Sequence, residues 1–219
     1  MITKQVNTYM QSFFTVLIGK LLTVFKLSFV LGSHAIMFSA SNFFLPLVGL
    51  FGRTTGTTIV WTFLLSARLL SGSFSAATLA FYLPGYCAAL YLGTSSRLFR
   101  CGVPLLAMLF FVTHPIGSQA MLYSCYWLIP FVIGAGFGRS LFTQALGATF
   151  MAHAVGSVIW LYTVPMAPAA WLALIPLVAV ERLTFAAGMV VMYQVIMQLT
   201  YVSSFLAYAF NRSYASLKR

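Results

Sequence analysis

Acidic side chains are all but missing from this chain: Glu181 is the single Asp or Glu among 219 residues, against twelve Lys and Arg. One acid excludes every mechanism built on paired carboxylates, the aspartyl dyad included. Charge of either sign is also scarce, at 6% of positions, where an ordinary soluble domain carries roughly 25%. So few charges cannot cover a surface in water, which makes hydrocarbon the solvent for most of the chain. Cysteine is sparse too. Cys87, Cys101 and Cys125 stand far apart with no CxxC spacing, which excludes a zinc site and a disulfide framework and leaves each as a small apolar packer. HExxH, GxSxG and Gly-rich phosphate loops are missing as well. The chain is therefore expected to be no enzyme and to hold no cofactor or metal. A Ser–His pair facing across helices, Ser118 or Ser157 with His153 or His114, is the one hydrolytic arrangement left open. The opening MITKQVNTYMQSFF lacks the basic n-region, short apolar core and small-residue site of a removable signal, and is expected to stay attached.

What is present is apolar: 61% of positions are hydrophobic. At about 20 residues per crossing the length allows roughly six to eight helices, with no room for a soluble domain. Apolar runs between Gly, Pro and charged breaks fall near 9–31, 35–51, 57–71, 76–93, 101–113, 119–137, 141–163 and 171–209. Lys20 and Lys26 interrupt the first, and the last exceeds one crossing. Arg53, the pair Arg97 and Arg100, Arg139, and the tail Arg212, Lys218 and Arg219 alternate with uncharged turns SGSFS (71–75), HPIGSQ (114–119) and PMAPAA (165–170). Arginine-bearing turns read as cytoplasmic and the others as external. The fold class is thus all-α, a polytopic transmembrane bundle. Its organisation is an N-terminal amphipathic or transmembrane segment over 1–52, a six-helix core over 57–209, and a basic cytoplasmic tail over 210–219. A multi-pass protein of a bacterial-type inner (plasma) membrane follows. The net positive charge reads as orientation and contact with anionic lipid, since no basic stripe interleaves with exposed aromatics to hold nucleic acid. Gly134 with Gly138, and Ala148, Ala152 and Gly156, stand four residues apart and mark close helix seams.

Buried polar residues carry the functional reading, because a charge at mid-helix in lipid costs roughly 2.5–3.5 kcal/mol. In HAVGSVIW, His153, Gly156, Ser157 and Trp160 share one helix face and form the wall of a cavity, or a packed histidine against a neighbour. Glu181 and Arg182 fall about ten residues into their helix, roughly 15 Å deep at 1.5 Å per residue. Adjacent positions project about 100° apart, so each is expected to meet a partner on another helix or a ligand, with Arg68 the candidate for Glu181. HPIGSQAMLYSCYWLIP leaves His114 at the external mouth and places Gln119, Tyr123, Tyr126 and Trp127 on one face, with an interfacial aromatic belt the competing reading for Trp127. Pro84 and Gly85 mark a kink in FYLPGYC.

The HP-G run (His114, Pro115, Gly117), the HAVGSVIW face and the PLVAVERL helix start resemble the S components of energy-coupling-factor vitamin transporters, over about residues 57–209. The resemblance implies a membrane-embedded subunit that captures a vitamin-like small molecule from outside. It also implies a transmembrane coupling subunit with two ATPases as partner. That family's coupling helix carries an AxxxA-like pattern; the corresponding spacing here is Ala35 to Ser39. The binding residues expected are His153, Ser157, Trp160, Glu181, Arg182, Tyr123, His114 and Arg68. A stand-alone small-solute carrier or channel, and a structural subunit of a larger membrane complex, are the alternatives.

Overall fold

The computed structural model describes residues 45–217, with side chains through 205, together with Gln11, Thr15 and two short strands. The strands, β1 (Lys26–Leu27) and β2 (Phe38–Ser39), pair antiparallel with Lys26 opposite Ser39 and Leu27 opposite Phe38. The rest of the expected N-terminal segment, with its span at 9–31 and Lys20, lies outside the described residues.

From residue 45 onward the chain is helical, joined by short turns. A 3-10 turn (Leu45–Leu47) leads into α1 (Val48–Leu70), followed by α2 (Ala76–Gly93) and α3 (Arg97–Thr113). Next come the short helices α4 (Pro115–Gln119) and α5 (Met121–Ser124), a 3-10 turn (Cys125–Trp127) and α6 (Leu128–Ala135). The chain ends in α7 (Leu141–Thr163), α8 (Pro168–Ala173) and the long α9 (Ile175–Leu217). The starts follow from capping chemistry. The side chains of Ser75, Ser96 and Ser140 each accept a backbone N–H three residues on, and Pro115 and Pro168 open α4 and α8, where a missing N–H is harmless.

Among the described residues, three stretches are long and apolar enough to cross a membrane: α2, α7, and α9 as far as Phe205. Half of the α7 stretch is buried, against 22% for α2 and 33% for α9, so α7 is the central helix of the three. Large apolar side chains face outward, Phe63 70% exposed and Phe81 78%, as expected when the surroundings are lipid. The other runs depart from simple spans for local reasons. The end of the expected span 35–51, most of which lies outside the described residues, and the expected span 57–71, with Arg53 in the loop between them, join in one helix from Val48, kinked at Arg53 (φ 52°, ψ −157°). The expected run 119–137 is broken into short pieces because Ala120 (φ −117°, ψ 30°) and a 3-10 turn interrupt it.

Small residues set the packing. A Cβ on Gly49 would sit 1.9 Å from the Ala89 carbonyl oxygen, so α1 and α2 touch backbone to backbone. The expected ladder on α7 meets α2: Ala148 is fully buried beside Cys87, Ala88 and Tyr91, Ala152 packs on the same cluster, and a Cβ on Gly156 would stand 3.6 Å from the Pro84 ring. Gly147 against Tyr91 and Gly156 against Pro84 make the two helices antiparallel. The expected GxxxG does not form as such. Gly134 packs on the backbone of Arg100, whereas Gly138 lies past the end of α6 in a turn.

Candidate functional site

A second buried cluster gathers Phe111 of α3, Tyr123 of α5, Trp127 of the 3-10 turn, Phe150 and Ala154 of α7, and Trp171 of α8. The broken run between α4 and α6 makes this possible. A straight helix would present only one face to α7, but the pieces turn Tyr123 and Trp127 inward together, 3% and 0% exposed. Phe111 stacks on Tyr123 at 5.7 Å and meets Trp127 and Trp171 edge-on at 5.2 and 5.3 Å. Tyr126 donates to the Ile175 carbonyl at 2.7 Å, tying the 3-10 turn to the start of α9.

Inside this aromatic shell lies a hydrogen-bonded chain. The Tyr123 hydroxyl is 2.7 Å from His153 Nε2 and 3.3 Å from Ser157 Oγ, and Trp127 Nε1 is 3.2 Å from His153 Nδ1. An indole N–H can only donate, so Nδ1 accepts and the imidazole proton sits on Nε2. His153 then donates to the Tyr123 oxygen, which leaves the Tyr123 proton for Ser157. Both ring nitrogens of His153 are thereby engaged. Ser157 reaches His153 only through Tyr123, which is not the direct nucleophile–base contact a Ser–His hydrolase requires.

Glu181 and Arg182 form the second polar centre, each 7% exposed. Their contact, Arg182 Nη2 to Glu181 Oε2 at 3.3 Å, is with each other. The long arginine stem swings back along the helix and closes the gap that the backbone directions open. Arg182 also donates to the Thr149 carbonyl of α7 at 3.5 Å and lies over the Phe185 ring at 4.6 Å. Both charges interact electrostatically with Tyr123, so the two centres form one neighbourhood. Two buried polar atoms in it have no hydrogen-bond partner among the described residues: the acceptor Glu181 Oε1 and the donor Trp171 Nε1. Trp171 packs against Tyr123 with ring centroids 5.0 Å apart.

Of the eight residues expected to line the site, Tyr123, His153, Ser157, Glu181 and Arg182 come together. Three do not. Arg68 is exposed in the last turn of α1, and Glu181 takes its neighbour Arg182 instead. Trp160 is 45% exposed, because the antiparallel register carries it toward the outward-facing N-terminal half of α2. His114 is occupied as the cap of α4, its Nδ1 accepting from Ile116 N at 3.2 Å, with its ring 4.9 Å from Tyr162. Gln119 is likewise turned out by the break at Ala120 and bonds the Pro115 carbonyl. Sequence reasoning missed Trp127 and Trp171 as site residues. Trp127 lies next to a proline-broken apolar run, where an interfacial aromatic and a core aromatic read alike. Comparisons with protein families, with curated proteins and with solved structures find no match.

Proposed function

We propose that this chain is a membrane-embedded small-molecule binding and uptake subunit of the kind its sequence resembles, the S component of an energy-coupling-factor transporter. In this reading α1, α2, α3, the broken run α4–α6, α7, and α8 with α9 make six crossings of a bacterial-type plasma membrane, with the arginine-bearing turns in the cytoplasm. The observation that carries it is two buried atoms without a hydrogen-bond partner among the described residues, Glu181 Oε1 and Trp171 Nε1, whose residues both neighbour Tyr123. Leaving one buried polar atom unsatisfied costs about 1–3 kcal/mol, so an acceptor and a donor left open together call for a ligand that supplies the complements. A small polar molecule with a donor and an acceptor, stacked among Phe111, Tyr123 and Trp171, meets that requirement. Coupling to a transmembrane subunit with ATPases belongs to the same proposal.

The test is ligand-induced thermal stabilisation of the purified protein across a panel of water-soluble vitamins and related metabolites. A hit is expected to raise Tm in the wild type and to lose its effect in Glu181→Gln and Trp171→Phe, each first checked for a cooperative unfolding transition. A panel with no hit, or hits unaffected by both variants, refutes the assignment. Uptake that needs no ATPase partner would make the chain a stand-alone carrier. One observation favours a structural subunit: Tyr123, His153, Ser157 and Trp127 satisfy one another, as a packing network does.

A further inference from the structure

At the other end of α7 the structure holds a cleft of about 410 Å³, lined by Ser95, Arg97, Arg100, Gly136, Arg139 and Gln144 among others. Three guanidinium groups of one sign border it. The only carboxylate side chain in the sequence is Glu181, and it is paired with Arg182. No acidic side chain of this protein therefore balances Arg97, Arg100 and Arg139.

The cleft is built rather than incidental. Arg100 lies over the Tyr91 ring at 4.5 Å and donates to Gln144 Oε1, and Gln144 in turn donates to the Gly138 carbonyl at 2.5 Å. That fixes the plane of the guanidinium, while its buried Nε keeps no hydrogen-bond partner. The turn after α6 places Gly136 and Gly138 at φ 118° and 108°, a conformation that only glycine adopts cheaply. Arg97 Nη2 lies 3.9 Å from where a Cβ on Gly136 would stand. The first turns of α3 and α7 start at the rim with their caps already filled by Ser96 and Ser140. They add positive potential at the rim.

We propose that this cleft binds the phosphate of an anionic phospholipid headgroup. Planar forked donors suit phosphate oxygens. Basic pockets between helices on the arginine-rich side of a membrane are where such headgroups sit. Lipid is favoured over a free phosphate ion by what flanks the arginines. Leu98 is 84% exposed between Arg97 and Arg100, and Phe137 is 71% exposed between Gly136 and Gly138. These outward apolar side chains offer an acyl chain contact beside the charged cleft, which a free ion does not use. The cleft meets α7 at Gln144, about 13 Å along the helix from His153 at 1.5 Å per residue, so it stands or falls apart from the solute site.

The experiment titrates short-chain phosphatidylglycerol, short-chain phosphatidylcholine and inorganic phosphate separately into the full chain in neutral detergent, followed by native mass spectrometry and Tm. Phosphatidylglycerol is expected to bind and raise Tm. Arg97→Gln, Arg139→Gln and Arg100→Gln are each expected to weaken it about tenfold, the worth of one charge-assisted hydrogen bond. Arg100→Lys, which keeps the charge and loses the fork, is expected to weaken it as well. Arg68→Gln, at the opposite end of α1, is expected to bind as wild type. If Arg100→Gln does not fold, the exposed Arg97 and Arg139 variants decide the matter. Equal binding of phosphatidylcholine, or wild-type affinity in both the Arg97 and Arg139 variants, overturns the proposal. Inorganic phosphate displacing the lipid at comparable concentration overturns the lipid assignment in favour of a free anion.

Discussion

Gly147 and Tyr91 offer a perturbation whose sign depends on the partner. A Cβ added at Gly147 would fall 2.6 Å from Tyr91 Oη and 2.7 Å from its Cε1. Real carbon contacts do not come so near, so Gly147→Ala must push the ring away. The ring has little freedom to move. It is fully buried, its hydroxyl donates to the Pro130 carbonyl at 2.8 Å, and Arg100 covers one face. Overpacking of this kind costs about 1–3 kcal/mol. Loss of the Pro130 bond adds about 0.6–1 kcal/mol in a membrane interior. Against this, alanine is favoured over glycine inside a helix by about 0.8–1 kcal/mol. The steric term is the largest, so Gly147→Ala is expected to destabilise by about 1–3 kcal/mol.

In a Tyr91→Leu background the clashing atoms are gone and only the helix preference is left, so the same alanine is expected to stabilise by about 1 kcal/mol. Equilibrium unfolding of the four proteins in detergent completes the cycle, with a coupling of about 2–4 kcal/mol expected between the sites. Alanine stabilising both backgrounds equally would show that α2 and α7 do not approach as closely as the structure has them, and would undo the antiparallel seam with it.

Tyr123→Phe removes both the bond to His153 and the bond to Ser157; a loss of about 1–2 kcal/mol in unfolding free energy is expected, and unchanged stability would mean the chain is not formed. Arg53 sits at φ 52° and ψ −157°, a region costing a side-chain-bearing residue about 1–3 kcal/mol. Arg53→Gly is therefore expected to raise Tm, and a lowered Tm would show that the guanidinium matters more than the backbone. In a background without native cysteines, Arg97→Cys and Ser118→Cys are expected to react with a membrane-impermeant thiol reagent from opposite sides; labelling from one side would end the six-crossing arrangement.

How far the sequence carries depends on whether a feature is local. The extents of α2 and α7 were legible as the apolar runs 76–93 and 141–163, because such a run is read from neighbouring residues alone. The face joining His153 to Ser157 was legible for the same reason, four residues being one helical turn. Pro84 gave no such lead to its neighbour: that Gly156 stands beside it depends on register across two helices. The break at Ala120 has no residue signature, yet it decides that Tyr123 turns inward and Gln119 outward. Trp127 and Trp171 were illegible because aromatic enrichment near a membrane surface and aromatic packing in a core leave the same composition. The pairing of Glu181 with Arg182 went against expectation because Cβ directions were weighed without the reach of an arginine.

That pairing bears on what the residues are for. An ion pair that fixes helix register has to join two elements, and a salt bridge between consecutive residues of α9 joins none. Hydrogen bonds between Arg182 and Thr149 of α7 are 3.5 Å long, the long limit of a hydrogen bond. These bonds are weak beside the packing of Ala186 and Met189, which are buried in the main core. A buried charged pair is ordinarily no better for stability than apolar residues of the same size. Retaining it in a chain with one acid is therefore poorly explained by packing. Glu181 satisfies one oxygen on Arg182, and its other oxygen has no hydrogen-bond partner among the described residues, in the neighbourhood of Tyr123. The arginine neutralises the charge and the free lone pairs remain, and that arrangement suits an acceptor kept for a ligand better than it suits a staple between helices.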